Sequence, residues 1–181
     1  MTLAASLGCS GNSKPKSKSK DATSSTKKDE EDQTQVINSQ GGTAYGWTQD
    51  EPKKHSWSVT WETVQFTFKP GGETISDMKG THGSFFQDGV EASRFQSAAA
   101  HANQKKGDID VDKNVVVISL TQKVTLRCDH IHYASKDTPP LVKATGNVEV
   151  DGPWGAVTGL KEVWATPDLK TFGTPDLFPS K

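Results

Sequence analysis

Residues 108–124, DIDVDKNVVVISLTQKV, align without a gap on residues 141–157, LVKATGNVEVDGPWGAV. Ile109 falls on Val142, Val111 on Ala144, Asn114 on Asn147, Val115 on Val148, Val117 on Val150 and Val124 on Val157, each pair 33 positions apart. Within each copy apolar and polar residues alternate with period two, the pattern of a strand with one buried face. A strand-turn-strand unit repeated at this interval argues for stacked supersecondary units, since one unit alone cannot bury its apolar face. The repeat extends outward. GVEASRFQSAAAHANQKKGDIDVDKNVVVIS corresponds to KVTLRCDHIHYASKDTPPLVKATGNVEVDG, and AVTGLKEVWATPDLKTFG begins the cycle again.

From residue 43 onward the alternation predicts strands throughout. WSVTWETVQFTF places Trp57, Val59 and Trp61 on one face, and Val64, Phe66 and Phe68 on one face after a shift of register. Turn chemistry separates the runs at Pro70-Gly71-Gly72, Asp88-Gly89, Lys105-Lys106-Gly107, Asp137–Pro140 and Gly152-Pro153. FQSAAAHANQ is rich in alanine but lies between strands and lacks an apolar stripe, so it too reads as strand. In the middle unit Leu126 and Cys128 differ in parity from Ile131 and Tyr133. A bulge near Cys128-Asp129 would return both sets to one face. Repeated bulges curl a sheet, so the expected fold is an all-β, antiparallel jelly-roll-like groove, open along one side.

Composition sets the outer limits. Only 32% of the 181 residues are hydrophobic and the mean hydropathy is -0.64, which leaves little material for a large solid core. A formal charge of -1 supplies no field to attract nucleic acid. Cys9 and Cys128 are the only cysteines, too few for a disulfide scaffold. MTLAASLGC ends in Gly8-Cys9 and looks like the tail of a bacterial lipoprotein signal, with Cys9 the residue that would carry lipid. The basic start and most of the apolar stretch of such a signal are missing. Either translation begins upstream of Met1, or the likeness is accidental. Residues 1–9 are thus expected to be a signal remnant. Residues 10–42, rich in Ser and Lys, read as a disordered tether with a reach of roughly 30 Å. Residues 43–178 form the folded domain. A periplasmic domain held at a membrane through a lipidated Cys9 follows from that arrangement.

Catalytic chemistry finds little footing. There is no Gly-x-Ser-x-Gly elbow and no phosphate-binding loop, since PGGETI is a turn. Cys128, His130 and His132 alternate along one strand and are good zinc ligands by type, with His82 or His101 as a conceivable fourth. The expected bulge would separate Cys128 from His132, so no metal site is assigned. Asp108, Asp110 and Asp112 read as the solvated side of a strand rather than a calcium loop. Trp47, Trp57, Trp61, Trp154 and Trp164 read as packing residues. No cofactor is expected.

VTLRCDHIHYASKD, FQDGVEASRFQSAAAHANQKKGDIDVDKNVVV and GNVEV…AVTGLKEVWATPDLKTF together resemble the OstA-like domains of lipopolysaccharide transport, the LptC/LptA family. The family pattern of an apolar strand, an Ala-rich strand ending near Tyr-Asp, then (A)-x-G-x-V-x-V appears as Leu126–Tyr133 followed by Ala144–Val150, and the likeness covers roughly residues 55–178. The resemblance implies a non-enzymatic lipid-transport domain whose apolar interior shelters lipid A-like acyl chains between inner and outer membrane. It also implies partner OstA-like domains joined by edge-strand pairing, and an ABC transporter. Family members of the LptC kind usually carry an N-terminal transmembrane helix, where this chain offers Cys9 and a polar tether. Two sheets about 10 Å apart would accommodate acyl chains, and each buried methylene contributes about 0.8 kcal/mol. Phe95, Val115, Val117, Val124, Leu126, Ile131, Val148, Val150, Val157 and Trp164 are the expected lining. The terminal strands, expected near Trp57–Phe68 and Val157–Thr166, would carry the head-to-tail pairing. The alternative from another class is an envelope lipoprotein with a closed β-fold that binds only protein.

Overall fold

The computed structural model describes residues 34–48 and 54–178. Nine strands run in chain order: β1 (Gln35–Trp47), β2 (His55–Lys69), β3 (Glu73–Gln87), β4 (Val90–Asn103), β5 (Asp108–Ser119), β6 (Thr125–Ala134), β7 (Val142–Gly152), β8 (Gly155–Ala165) and β9 (Phe172–Gly173). Each pairs antiparallel with the next, giving one sheet in the order β1 to β9 that is not closed into a barrel. Among the described residues there is no α-helix; the only helical turn is a 3-10 segment, Pro175–Leu177. The alanine-rich run is indeed strand, the second half of β4.

A line of backbone irregularities crosses the sheet near the middle of its strands. On β3, β5 and β7 it falls at Gly80, Lys113 and Gly146, with φ of 60°, 66° and 74°, followed on β5 and β7 by Asn114 and Asn147 at 55° and 47°. Those three positions are spaced by the 33-residue repeat, so the period of the sequence is the period of the crease. The line continues through Gly41 on β1 (φ 62°). It also passes the register shifts between Gln96 and Ala99 on β4, Arg127 and His130 on β6, and Thr145 and Val148 on β7. Positive φ is cheap for Gly and tolerable for Asn, and costs most other residues about 1–2 kcal/mol. On β6 the shift sits at the expected bulge, and Leu126, Cys128, Ile131 and Tyr133 all point into the core. β2 and β4 change parity at the same line: Trp57, Val59 and Trp61 give way to Val64, and Phe95 to Ala100 and Ala102.

The crease folds the sheet upon itself. Phe85, late on β3, meets Tyr133, late on β6, with ring centroids 4.9 Å apart. Trp57 Nε1 donates to the Gly107 carbonyl at 3.2 Å, and Ser119 Oγ to the Asp168 carbonyl at 2.6 Å. In each pair the two partners lie on opposite sides of the crease. The enclosed side chains make one continuous hydrophobic core reaching from Trp57 to Leu169.

β1 begins at Gln35, inside the segment whose composition reads as tether. Its residues from Gln35 to Thr43 are exposed, and what holds them is backbone pairing, Gln35 with Phe68 through Gln40 with Thr63. A polar sequence argues against burial, and an edge strand needs none. The glycines of β1 serve the neighbouring strand. A Cβ at Gly42 would stand 2.6 Å from the Trp61 ring, and one at Gly46 would stand 2.1 Å from Trp57 Nε1. Both indoles therefore occupy the space that a side chain on β1 would need.

Candidate functional site

Three surfaces contain the residues that sequence reasoning singled out: the inner face, the outer face of β3–β6, and the sheet edges. On the inner face Phe95, Val115, Val117, Val124, Leu126, Ile131, Val148 and Val150 are all buried and belong to the one core. The two halves of the sheet close on one another there. Between Val124, Leu126 and Val150 on one side and Val163, Ala165, Leu169 and Phe172 on the other, no room is left for a water molecule. The apolar wall is therefore present, but the space it encloses is filled.

The other two lining candidates sit elsewhere. Val157 is 46% exposed at the start of β8, ahead of a shift in β7–β8 pairing beside Gly159. Trp164 lies on the outer face, half-buried. Its Nε1 donates to Glu162 Oε1 at 2.6 Å, and Lys143 Nζ stands 5.0 Å from its ring. Trp164 stands between the inward Val163 and Ala165 and so takes the outer face, whereas Val157 sits directly opposite the buried Val150 and is exposed at the start of β8.

Cys128 points inward while His130 and His132 point outward, so the three do not converge. Burial pushes the Cys128 thiol up to about 12, leaving it protonated and a poor nucleophile. The histidines instead face aspartates across the strands. His101 Nδ1 lies 2.6 Å from Asp77 Oδ1, His130 Nδ1 lies 2.6 Å from Asp112 Oδ1, and His132 Nδ1 lies 2.7 Å from Asp110 Oδ1. Pairing register explains the order. Gln65, Asp77, His101, Asp110, His132 and Lys143 sit directly opposite one another on β2 to β7 and form one row across the sheet. The hydrogen bond to Asp110 raises the His132 pKa against the opposing effect of burial. Burial raises that of Asp110, but His132, with His130 and His101 nearby, outweighs it and the carboxyl ends below its ordinary value. Beside this row the outer face carries a shallow depression of about 880 Å³, floored by Gln65, Asp77, Lys79, His101 and Asp110. Within it Asn38 is paired with Gln65 and Asp77 with His101. Among the described residues no group of three His, Cys, Asp or Glu is placed to hold a metal ion. Single-strand reasoning saw the acids and the histidines separately; their pairing needs the register, which the bulges set.

The edges correct one expectation. β2, which contains Trp57–Phe68, is not terminal: β1 and β3 flank it, and β1 is the edge. At the other end β9 pairs only with Trp164 and Ala165, so most of β8 has no strand on its outer side. Among the described residues, β1 and β8 thus each have one side with backbone amides and carbonyls that no neighbouring strand pairs along most of its length. Exposed apolar side chains accompany both, Val36, Ile37, Tyr45 and Trp47 on β1, and Val157 on β8 with Trp154 in the turn before it. Trp154 stacks on Phe172 at 5.5 Å. Cys9, the expected lipid anchor, lies outside the described residues.

No protein-family model matches the chain, and no curated protein shows significant similarity to it.

Proposed function

We propose that this protein is a non-enzymatic bridging domain of envelope lipid transport, docking end to end with other β-domains and sheltering lipid A-like acyl chains. The observation that carries the proposal is a creased sheet, not closed into a barrel, with an edge strand at each end among the described residues and a largely apolar inner face. Strand addition at β1 and β8 would satisfy the free backbone groups and propagate the inner face from one domain to the next. This is the architecture that the OstA-like resemblance implies, with the jelly-roll groove as its finer description. In such a bridge a periplasmic domain tethered through Cys9 stands near the membrane, and an ABC transporter is the natural source of cargo.

Because the interior is filled, sheltering an acyl chain requires the two halves to part along the crease. Smooth Val, Leu and Ile walls suit that role, since a carrier holds cargo by burial rather than by directional bonds. The filled interior also favours a second reading, a closed interaction module that binds protein alone. Mass spectrometry of lipid co-purifying with the full chain, together with photo-cross-linkers at Ile37 and Val157, separates them. The transport reading expects lipopolysaccharide or related lipid in the protein and edge cross-links to β-domain partners. Edge cross-links without lipid support the closed module, and a strict monomer that captures neither contradicts both.

A further inference from the structure

Two histidines of the outer face take no part in the transport proposal. His130 and His132, two residues apart on β6, project to the same side, and the register sets them directly opposite Asp112 and Asp110 of β5. His130 Nδ1 lies 2.6 Å from Asp112 Oδ1, and its other ring nitrogen, Nε2, lies 3.6 Å from Asp110 Oδ1. The same Asp110 oxygen stands 2.7 Å from His132 Nδ1. All four side chains are between 32% and 39% exposed, so these groups open to solvent. Asp110 and Asp112 also line the shallow outer depression.

A neutral imidazole carries one N–H. In His130 the short contact to Asp112 draws that proton to Nδ1, which leaves the Nε2 lone pair facing a carboxylate oxygen. Two acceptors facing one another repel, whereas a proton or a cation between them makes the contact attractive. The surroundings favour a metal cation. A carboxylate on the far nitrogen, here Asp112, is what orients a metal-ligating imidazole and raises its basicity. The 3.6 Å gap is close to the roughly 3.3 Å between two ligands of a tetrahedral ion with bonds of about 2.0 Å. As arranged, His132 spends Nδ1 on Asp110, so no set of three donors is preformed among the described residues. Side chains two apart on one strand face start roughly 7 Å from each other, a span that two imidazoles turned toward a shared ion can close. At its exposure His132 turns without disturbing the core. Mixed nitrogen and carboxylate donors suit zinc, copper or nickel, while magnesium and calcium take oxygen. We propose that His130 and His132, with Asp110 across the strand, form a binding site for a divalent transition-metal ion of the zinc class. Cys128 has no part in it, because it points into the core. The site does not rest on the transport proposal, since it lies on the outer face and needs neither acyl chain nor partner domain.

The test uses the full chain, purified without a histidine tag and stripped with a chelator. Zinc chloride and nickel chloride are the probes and magnesium chloride the control, followed by calorimetric titration and by the imidazole NMR signals. Zinc or nickel is expected to bind saturably and to shift the His130 and His132 signals together, and magnesium to do neither. Loss of a ligand should cost no less than the roughly tenfold that loss of an outer-shell partner costs. His130→Ala, His132→Ala and Asp110→Asn should each weaken binding by at least that factor, and their exposed positions leave the core intact. His101→Ala, whose ring pairs with Asp77, should leave affinity unchanged. Absence of saturable binding by zinc and nickel overturns the inference and leaves the His130–Asp110 contact to a shared proton. So does binding that survives both histidine variants, or that magnesium matches.

Discussion

Asn147 shows how a single side chain fixes the bend of a strand. It holds φ at 47°, and its Nδ2 donates to Asp129 Oδ2 at 2.6 Å on the neighbouring strand. A β-branched residue cannot adopt that backbone without strain, so Asn147→Val is expected to lower stability by about 1–3 kcal/mol in urea titration. Asn147→Gly should cost less, losing only the hydrogen bond. His132 gives a second prediction at this scale, with a pH sign. Its folded pKa is raised by Asp110, so its contribution is fully present below the unfolded value of about 6.5 and is lost as pH rises through the folded value. The Asp110 carboxyl is lowered, so its contribution persists above its unfolded value and disappears only in acid. The facing groups are Asp110, Asp108 and Lys143, with His130 Nε2 3.6 Å from Asp110. The urea midpoint should therefore fall between pH 6 and pH 8, and Asp110→Asn should flatten that fall. An unchanged slope in the variant would remove the pair from the account.

At the scale of strands, β1 and β2 depend on each other through glycine. Gly46→Val would drive a side chain into Trp57 and break its bond to the Gly107 carbonyl. The expected loss is about 1–3 kcal/mol, as for other overpacked sites, read from denaturant midpoints and from a change in tryptophan fluorescence. Much of the strand plan was legible beforehand. Alternation located the strands, the 33-residue repeat aligned Asn114 with Asn147, which the structure places on the crease, and the parity break at Cys128 and Asp129 located a bulge. The start of β1 was not legible, because Gln35–Thr43 is held by backbone pairing that side-chain pattern does not record. For the same reason β2, with its tryptophans, passed for an edge. The His–Asp row was hidden too, since cross-strand partners depend on register and each bulge shifts it.

Over the whole molecule, the periodic pattern says which side chains face inward but not how far apart two inward faces stand. Eight of the ten expected lining residues are buried in the core, and the structure closes them against the opposite half. Ile131→Ala should accordingly cost about 2–5 kcal/mol, the range for a cavity in a packed core; a much smaller loss would mean that the halves are already apart in solution. The same filled core places the transport proposal on one movement, a parting of the halves about the crease. Photo-cross-linkers at Leu126 and Val150, on the inner face, compared with Ile118, exposed on β5, test this in cells that make lipopolysaccharide. The account predicts lipopolysaccharide adducts at Leu126 and Val150 and none at Ile118. Adducts confined to Ile118, or protein adducts alone at all three positions, would contradict it.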